Sequence, residues 1–360
     1  MDDLNQNPKL GSADRPNSYI GRSVPRERAK KLLEGKGKYV DDILLPRMVH
    51  LSYVRSPFAH AKIKSINTEN AKKYPGVLNV FTINDIEKVC SPWQGVLGHL
   101  GEMRSPTQYP LAKDIVRWQG EPIAVVVANK RAVAEDASEL VEIDYEDLDA
   151  QLDMETAMDK STKVIHNDLG NNLFWTRTVN QGDVSEAFKQ SHIVEEVTLD
   201  FARHTGVTLE TRAIVADWDS SEEKMTIYHN GQAPHMMQSI IAKHLNLSEG
   251  LVRIISCDVG GSFGIKVHVY PDEMVTVAIS KLLKRPVKFV ADRLESYSTD
   301  IHSRCHKILG KIGVDDKGKI LAFEIDDLSG IGPFSVYPRT SAIETNQVLN
   351  LSAASYVVPN

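Results

Sequence analysis

Pro122-Ile123-Ala124-Val125-Val126-Val127-Ala128 is an unbroken run of seven apolar residues. A run this short and rich in β-branched side chains reads as a strand covered on both faces. The next segment, Lys130 to Val141, places Ala132, Val133, Ala137 and Leu140 at helical spacing, which predicts an amphipathic helix. Val141 to Tyr145 returns to strand composition. The result is a compact strand–helix–strand unit.

Outward from this unit toward the N-terminus, Met48 to Arg55 has strand composition and is stopped by Pro57. Ala61 to Ile66 and Val77 to Thr82 read as further strands. A short helix is expected to open at Asn84 or Asp85, where a side-chain oxygen caps the first turn. Between Cys90 and Asp114 the chain shows little periodicity, which marks an irregular segment serving function or an interface. Residues 1 to 20 are rich in Asn, Asp, Pro, Gly and Ser and predict a mobile or surface-laid arm.

Toward the C-terminus, the acidic, turn-rich stretch Glu146 to Asp159 reads as a linker. The chain is thus divided into an arm (1–20), a first domain (21–150) and a second domain (151–360). Alternation of apolar and polar residues in Ile193 to Phe201, Ala213 to Asp219 and Met225 to His229 predicts antiparallel sheet. Pro234 to Leu245 is spaced as a helix, Leu251 to Val259 as a strand, Asp272 to Leu283 as a helix after Pro271, and Pro286 to Val290 as a strand. A polar loop is expected around Thr299, then a hairpin from His306 to Ile325 turning at Asp315-Asp316-Lys317-Gly318. The class is α+β.

Composition narrows the function. At 360 residues the chain exceeds what one hydrophobic core usually serves. Its net charge of −6 comes from interspersed acids and bases, which leaves no basic footprint and argues against nucleic acid. No apolar stretch approaches the roughly 20 residues that span a bilayer. Met1-Asp2-Asp3-Leu4-Asn5 is acidic where a secretory signal is basic and then apolar, so a cytoplasmic protein is expected. Cys90, Cys257 and Cys305 are too scattered for a disulfide framework or a Cys-x-x-Cys metal site. They read as free thiols, although His302 and His306 flank Cys305 and leave a catalytic thiol open.

Gly260-Gly261-Ser262-Phe263-Gly264-Ile265-Lys266 follows an apolar strand and precedes a helix. It matches neither Gly-x-Gly-x-x-Gly nor a P-loop. It is either a plain tight turn or a cradle of backbone N–H groups for a polar ligand, and the large apolar Phe263 between glycines favours the cradle. Gln232, in Gln232-Ala233-Pro234-His235, sits where a strand gives way to a helix, so its amide either caps locally or points into the same cleft. His235, His244, His302 and His306 read as structural histidines, since no third ligand stands at metal spacing. His204, Glu210 and Arg212 form a buried charged pair near a site, or a purely structural one.

Taken in order, these motifs resemble the large subunit of the xanthine oxidase family of molybdenum hydroxylases. Tyr39-Val40-Asp41-Asp42, Val54-Arg55-Ser56-Pro57-Phe58-Ala59-His60-Ala61 and Gln119 to Val126 are similar to that family's α/β hammerhead domain. Leu209-Glu210-Thr211-Arg212, Gln232 to His235, Val259 to Lys266 and Pro286 to Arg293 are similar to the first part of its molybdopterin-binding α+β domain. The resemblance covers residues 20 to 360.

The resemblance implies that Gln232 and the turn Gly261, Ser262, Phe263 and Gly264 lie against molybdenum and its pterin, with Phe263 walling a substrate channel. Purine-oxidising relatives carry a glutamate where this chain has Val267, which disfavours a purine, and Tyr270-Pro271 is closer to the carbon monoxide and small-aldehyde branches. The implied activity is hydroxylation of a small aldehyde such as glyceraldehyde with water as oxygen source. Carbon monoxide oxidation, or a catalytically incomplete fragment acting in assembly, are the alternatives. The implied cofactor is molybdopterin cytosine dinucleotide. Without a cysteine set for a cluster, [2Fe–2S] and FAD are expected on an iron–sulfur small subunit and an FAD medium subunit. The family's general-base glutamate falls beyond Asn360, so no catalytic or metal-ligating residue is assigned here. The C-terminal half of the large subunit is expected as a partner, and the chain is expected to be inactive without it.

Overall fold

The computed structural model describes residues 23–26 and 29–360, and the expected arm at 1–20 lies outside them. The first part of the chain forms α1 (Ala29–Leu33), β1 (Val49–Arg55), β2 (Ala61–Asn67), α2 (Glu69–Lys73), β3 (Val77–Thr82), α3 (Ile83–Ile86), β4 (Ile115–Val116), β5 (Pro122–Ala128), α4 (Arg131–Ser138) and β6 (Glu142–Asp147). There follow α5 (Val184–Gln190), β7 (Ile193–Phe201), β8 (Ala213–Asp219), β9 (Lys224–His229), α6 (Pro234–His244), β10 (Val252–Ser256), α7 (Pro271–Leu283), β11 (Val287–Val290), α8 (Arg293–Thr299), β12 (His306–Val314), β13 (Ile320–Ser329) and α9 (Ala342–Leu351). The α+β reading holds.

Seven strands form the main sheet, in the order β10-β9-β8-β11-β1-β5-β3. It takes β1, β3 and β5 from the first part of the chain and the other four from the second. The seam is the parallel pairing of β1 with β11, where Val49 opposes Val287. β8 and β9 are antiparallel as expected, whereas β9 and β10 are parallel, because α6 carries the chain back between them. Two three-stranded sheets, β13-β12-β7 and β4-β2-β6, complete the architecture.

β5 explains its own composition. All seven of its residues are buried. Val125 and Val127 face the main core with Leu51, Ile214, Ile227, Phe289 and the α7 residues Met274 and Val277. Ala124 and Val126 face a second core with Ala137 of α4, while Ile123 packs in a third with Ala61 and Val116. Tyr53 and Phe289 meet edge-to-face across the seam, centroids 4.9 Å apart, worth about 0.5–1.5 kcal/mol beyond area burial.

Several local expectations change. The buried stripe of α4 is Ala134 and Ala137, while Leu140 is exposed, because the helix ends at Ser138 and Leu140 falls in the turn that follows. β6 leaves the sheet of β5 and pairs with β2 instead. α3 begins at Ile83, one residue earlier than expected, with the Thr82 N–H donating to Asp85 Oδ2 at 3.1 Å. The polar loop expected at Thr299 is the end of α8. That helix opens on a reciprocal cap in which Glu295 N donates to Asp292 Oδ1 at 2.7 Å and Asp292 N to Glu295 Oε2 at 3.0 Å. α9 had no counterpart among the expected elements. Among the described residues no helix is long and apolar enough to cross a membrane.

Candidate functional site

The site is built on the second-part strands of the main sheet. Arg212 enters β8 pointing inward and is fully buried. Its Nε donates to Asp300 Oδ1 at 2.6 Å, its Nη1 to Asp272 Oδ1 at 2.6 Å, and its Nη2 to Asp272 Oδ2 at 3.0 Å and Thr299 Oγ1 at 2.8 Å. The guanidinium also lies 3.7 Å above the Tyr270 ring, a cation–π contact. From β1, Arg55 reaches the same knot, with Nη2 3.0 Å from Asp272 and Nε 2.9 Å from Glu295.

The two aspartates respond differently. Burial alone would raise the Asp272 carboxyl, but the guanidiniums of Arg212 and Arg55 outweigh it and hold the group below the ordinary range. At Asp300 burial wins over Arg212, and the carboxyl titrates above that range. Burial also raises the Tyr270 phenol, so that its hydroxyl stays protonated and donates to the Ile265 carbonyl at 3.0 Å.

Glu210 and Arg212 therefore do not form one buried pair near the site. With Thr211 between them their side chains take different partners, and Glu210 turns to the glycine-rich segment, where Lys266 Nζ donates to its Oε2 at 3.0 Å. His204 is exposed and joins the loop before β12 through an isolated bridge to Ser303. The sequence missed both the Arg55 link and the Lys266 link. An arginine closing a strand, and a lysine ending a Gly-rich run, were the available signals.

The turn itself is closed by its own chain. Ile265 N donates to the Ser262 carbonyl at 2.9 Å and Lys266 N to Ser262 Oγ at 3.2 Å. Gly261, Phe263 and Gly264 have φ of +102°, +52° and +93°, a left-handed excursion that glycine tolerates and Phe263 does not do freely. Among the described residues the amide N–H groups of Gly261, Ser262, Phe263 and Gly264 find no acceptor. Such a row of amides forms a concave donor surface suited to an anionic or strongly polar ligand. Phe263 projects from it, 81% exposed.

Gln232 is brought to this turn. Its Oε1 accepts from the Ser262 hydroxyl, and its backbone N donates to the Lys266 carbonyl at 2.9 Å. That leaves its Nε2 as a further donor on an exposed side chain beside the four amides. Of the five residues singled out from sequence, all lie in one contiguous patch. Four residues past the turn, the buried His268 Nδ1 has no partner among the described residues. Burial, with help from Arg339, lowers its pKa to about 4.

The remaining candidates divide. His244 is held between Ser91 Oγ at 2.9 Å and the Tyr337 hydroxyl at 3.1 Å, and His306 binds Asp327 through Nδ1 at 2.9 Å, so both are structural. His235 and His302 are exposed. The Cys305 thiol contacts other groups than its neighbouring histidines: it lies 4.0 Å from the Met154 sulfur and 3.6 Å from Arg203 Nη2. Burial pushes the Cys90 thiol up to about 12, which makes it inert. Among the described residues no three His, Cys, Asp or Glu side chains gather as a metal site.

A family model of the molybdopterin cofactor-binding domain matches residues 165–360, and one of the aldehyde oxidase and xanthine dehydrogenase a/b hammerhead domain matches residues 34–149. The chain belongs to the xanthine oxidase family of molybdenum hydroxylases. Within that family, the nicotine 6-hydroxylase large subunit of Paenarthrobacter nicotinovorans is 34% identical over 98% of this chain and 44% of its own length. The carbon monoxide dehydrogenase large chain of Afipia carboxidovorans is 32% identical over 97% of this chain and 44% of its own length. The crystal structure of quinoline 2-oxidoreductase from Pseudomonas putida superposes with a TM-score of 0.91 at 30% identity, over 94% of this chain and 43% of that one. This chain spans less than half the length of these molybdenum hydroxylase subunits, and it corresponds to their N-terminal half.

The residues present fit a molybdenum–pterin group. The four amides that find no acceptor among the described residues supply hydrogen-bond donors, and the Gln232 amide adds one more from the flank. Behind them, a Cβ at Gly260 would lie 2.4 Å from Glu210 Cβ, so the start of the turn is drawn tightly against Glu210.

Proposed function

We propose that this chain is the pterin-facing component of a molybdenum-dependent oxidoreductase, binding molybdopterin cytosine dinucleotide through Gly261, Ser262, Phe263, Gly264 and Gln232. The observation that carries this reading is the contact of Gln232 with Ser262 beside four unpaired amides. When bound, the molybdenum–pterin group supplies the two-electron oxidation that hydroxylates a substrate with oxygen from water.

The chain's own residues bind and orient. Fixed N–H dipoles stabilise negative charge without reorganising, which is where enzymes gain most. The Gln232 amide is steadied by Ser262 through its oxygen, so its nitrogen is held toward the ligand. Phe263, cantilevered into solvent in this chain, lines the substrate path in the assembled enzyme and excludes water from it.

We propose a small aldehyde such as glyceraldehyde as substrate, oxidised with one water to the acid, two protons and two electrons. Val267, where purine-oxidising relatives carry a glutamate, supports a substrate other than a purine. Carbon monoxide is the alternative within the same reading. A second reading, an N-heteroaromatic substrate, is favoured by the similarity to nicotine 6-hydroxylase and quinoline 2-oxidoreductase. The electrons leave through [2Fe–2S] and FAD on partner subunits, and the part of the large subunit that this sequence does not span supplies the general base. The assembly is cytoplasmic. The division into domains near residue 150 is supported by the separate family matches on either side of it.

The test is to isolate the complex from its native host, measure molybdenum per complex, and assay glyceraldehyde, carbon monoxide, nicotine and quinoline. Molybdenum near one per complex with turnover of one of them supports the enzyme. A metal-free complex assigns the chain to an assembly role instead.

A further inference from the structure

Lys266 is the point at which the whole turn is anchored, although its side chain is only 1% exposed and cannot itself touch a ligand. Three of its groups are engaged. Its Nζ donates to Glu210 Oε2 at 3.0 Å, its N to Ser262 Oγ at 3.2 Å, and its carbonyl accepts from Gln232 N at 2.9 Å. Glu210 holds the other end. Its Oε2 accepts from Gly260 N at 2.7 Å, and its own N donates to the Gly260 carbonyl at 3.1 Å.

The segment from Gly260 to Lys266 is therefore clamped at both ends by one ion pair, with the left-handed residues Gly261, Phe263 and Gly264 between the clamps. The four amides themselves have no acceptors among the described residues, and between the clamps the turn is further held through Ser262, whose carbonyl accepts from Ile265 N and whose hydroxyl donates to Gln232 Oε1. The clamps and these Ser262 contacts together oppose rotation of the peptides out of register with one another.

We propose that Glu210 and Lys266 are positioning residues that hold the turn in the conformation whose amides face the cofactor, a role that rests on the function proposed above. Lys266 joins the two halves of the site, because the same residue that fixes the turn also fixes the backbone of Gln232. Burial lowers the ammonium pKa while Glu210 pulls it back up, so the lysine depends on its partner to remain charged where it lies. Neutralising Glu210 removes the ion pair to Lys266 and weakens the bond from Gly260 N, while the backbone bond from Glu210 N to the Gly260 carbonyl remains.

The test is made in the complex isolated from its native host carrying Glu210→Gln, Lys266→Met or Lys266→Arg, with molybdenum per complex and assembly size as readouts. Glu210→Gln and Lys266→Met should lower molybdenum content at least tenfold in a complex of unchanged size, and Lys266→Arg, which can still reach Glu210, should restore at least half. Hydrogen exchange of the 260–266 amides should rise in the first two variants, with protection elsewhere unchanged. Wild-type loading in an assembled Glu210→Gln complex overturns the positioning role alone. Failure of Glu210→Gln to yield soluble complex also overturns it, marking the pair as a support of the fold. A wild-type complex without molybdenum overturns both this role and the function it rests on.

Discussion

The Arg212 knot and the glycine turn lie a few residues apart through Glu210, yet they treat polar groups in opposite ways. Around Arg212 the charges are buried and answered by protein: Asp272 and Asp300 at 2.6 Å, Thr299 at 2.8 Å and the Tyr270 ring at 3.7 Å. Around the turn, four successive amides are left without acceptors among the described residues and Phe263 stands in solvent. A sealed knot is a brace, because an ion pair deprived of one member leaves a charge stranded in low dielectric. An open row of donors stabilises nothing until a ligand arrives. The comparison separates residues that hold the chain together from residues that serve a ligand.

The largest effect should come from the brace. Arg212→Met leaves Asp272 and Asp300 without their main cation and should cost about 3–5 kcal/mol, read by denaturant unfolding of the purified chain. A cost below about 1 kcal/mol would remove the knot from that role. On the other side, Gln232→Ala should lower turnover of the assembled enzyme roughly 10²-fold while shifting stability by less than about 0.5 kcal/mol. Unchanged turnover would take Gln232 out of the site.

A third test concerns a buried acid outside the Arg212 knot. Glu121 accepts from Arg117 N at 2.6 Å, and burial raises its pKa from 4.5 to about 7. The folded state thus keeps a proton that the unfolded chain loses, so this group's contribution is fully present below about pH 4.5 and fades as pH rises through about 7. The stability of Glu121→Gln relative to the parent should climb across that window, by up to roughly 3 kcal/mol, and then level. Buried His166, lowered to about 4 by burial and Arg117, pulls the opposite way below its ordinary range, which is why the difference between the two proteins is the quantity to measure. A flat difference would mean that Glu121 is ionised in the fold.

The smallest test sets two glycines against each other. Gly261 has a φ of +102° with 3.4 Å of clearance for a Cβ, so Gly261→Ala should cost about 1–3 kcal/mol in strain and reduce molybdenum loading. Gly250 has open space and an ordinary φ, and Gly250→Ala should be neutral or stabilise by up to about 1 kcal/mol. Equal effects would show that the turn is not held in its left-handed form.

Much of this was readable before any coordinates. The all-apolar β5, the periodic α6 and α7, the hairpin of β12 and β13, and the Gln232 and Gly261 to Gly264 motifs are local: period, turn chemistry and glycine placement act within a few residues. The misread details were local too, at the face of α4 and at α8, whose Asp292-Arg293-Leu294-Glu295 cap was present in the sequence and overlooked.

Tertiary structure alone decided what meets across distance. Nothing local says that β1 pairs with β11, that Arg55 reaches Asp272, or that Glu210 turns to Lys266 and leaves Arg212 to the aspartates. Those choices are settled by which burial satisfies the most charge at once, a condition on the whole core. By itself the sequence determined most strands and the longer helices of the sheet-bearing core, the family, and the residue types offered for the site. The fold determined which side of that site is sealed and which is left open, because an unpaired donor is defined by everything that fails to approach it.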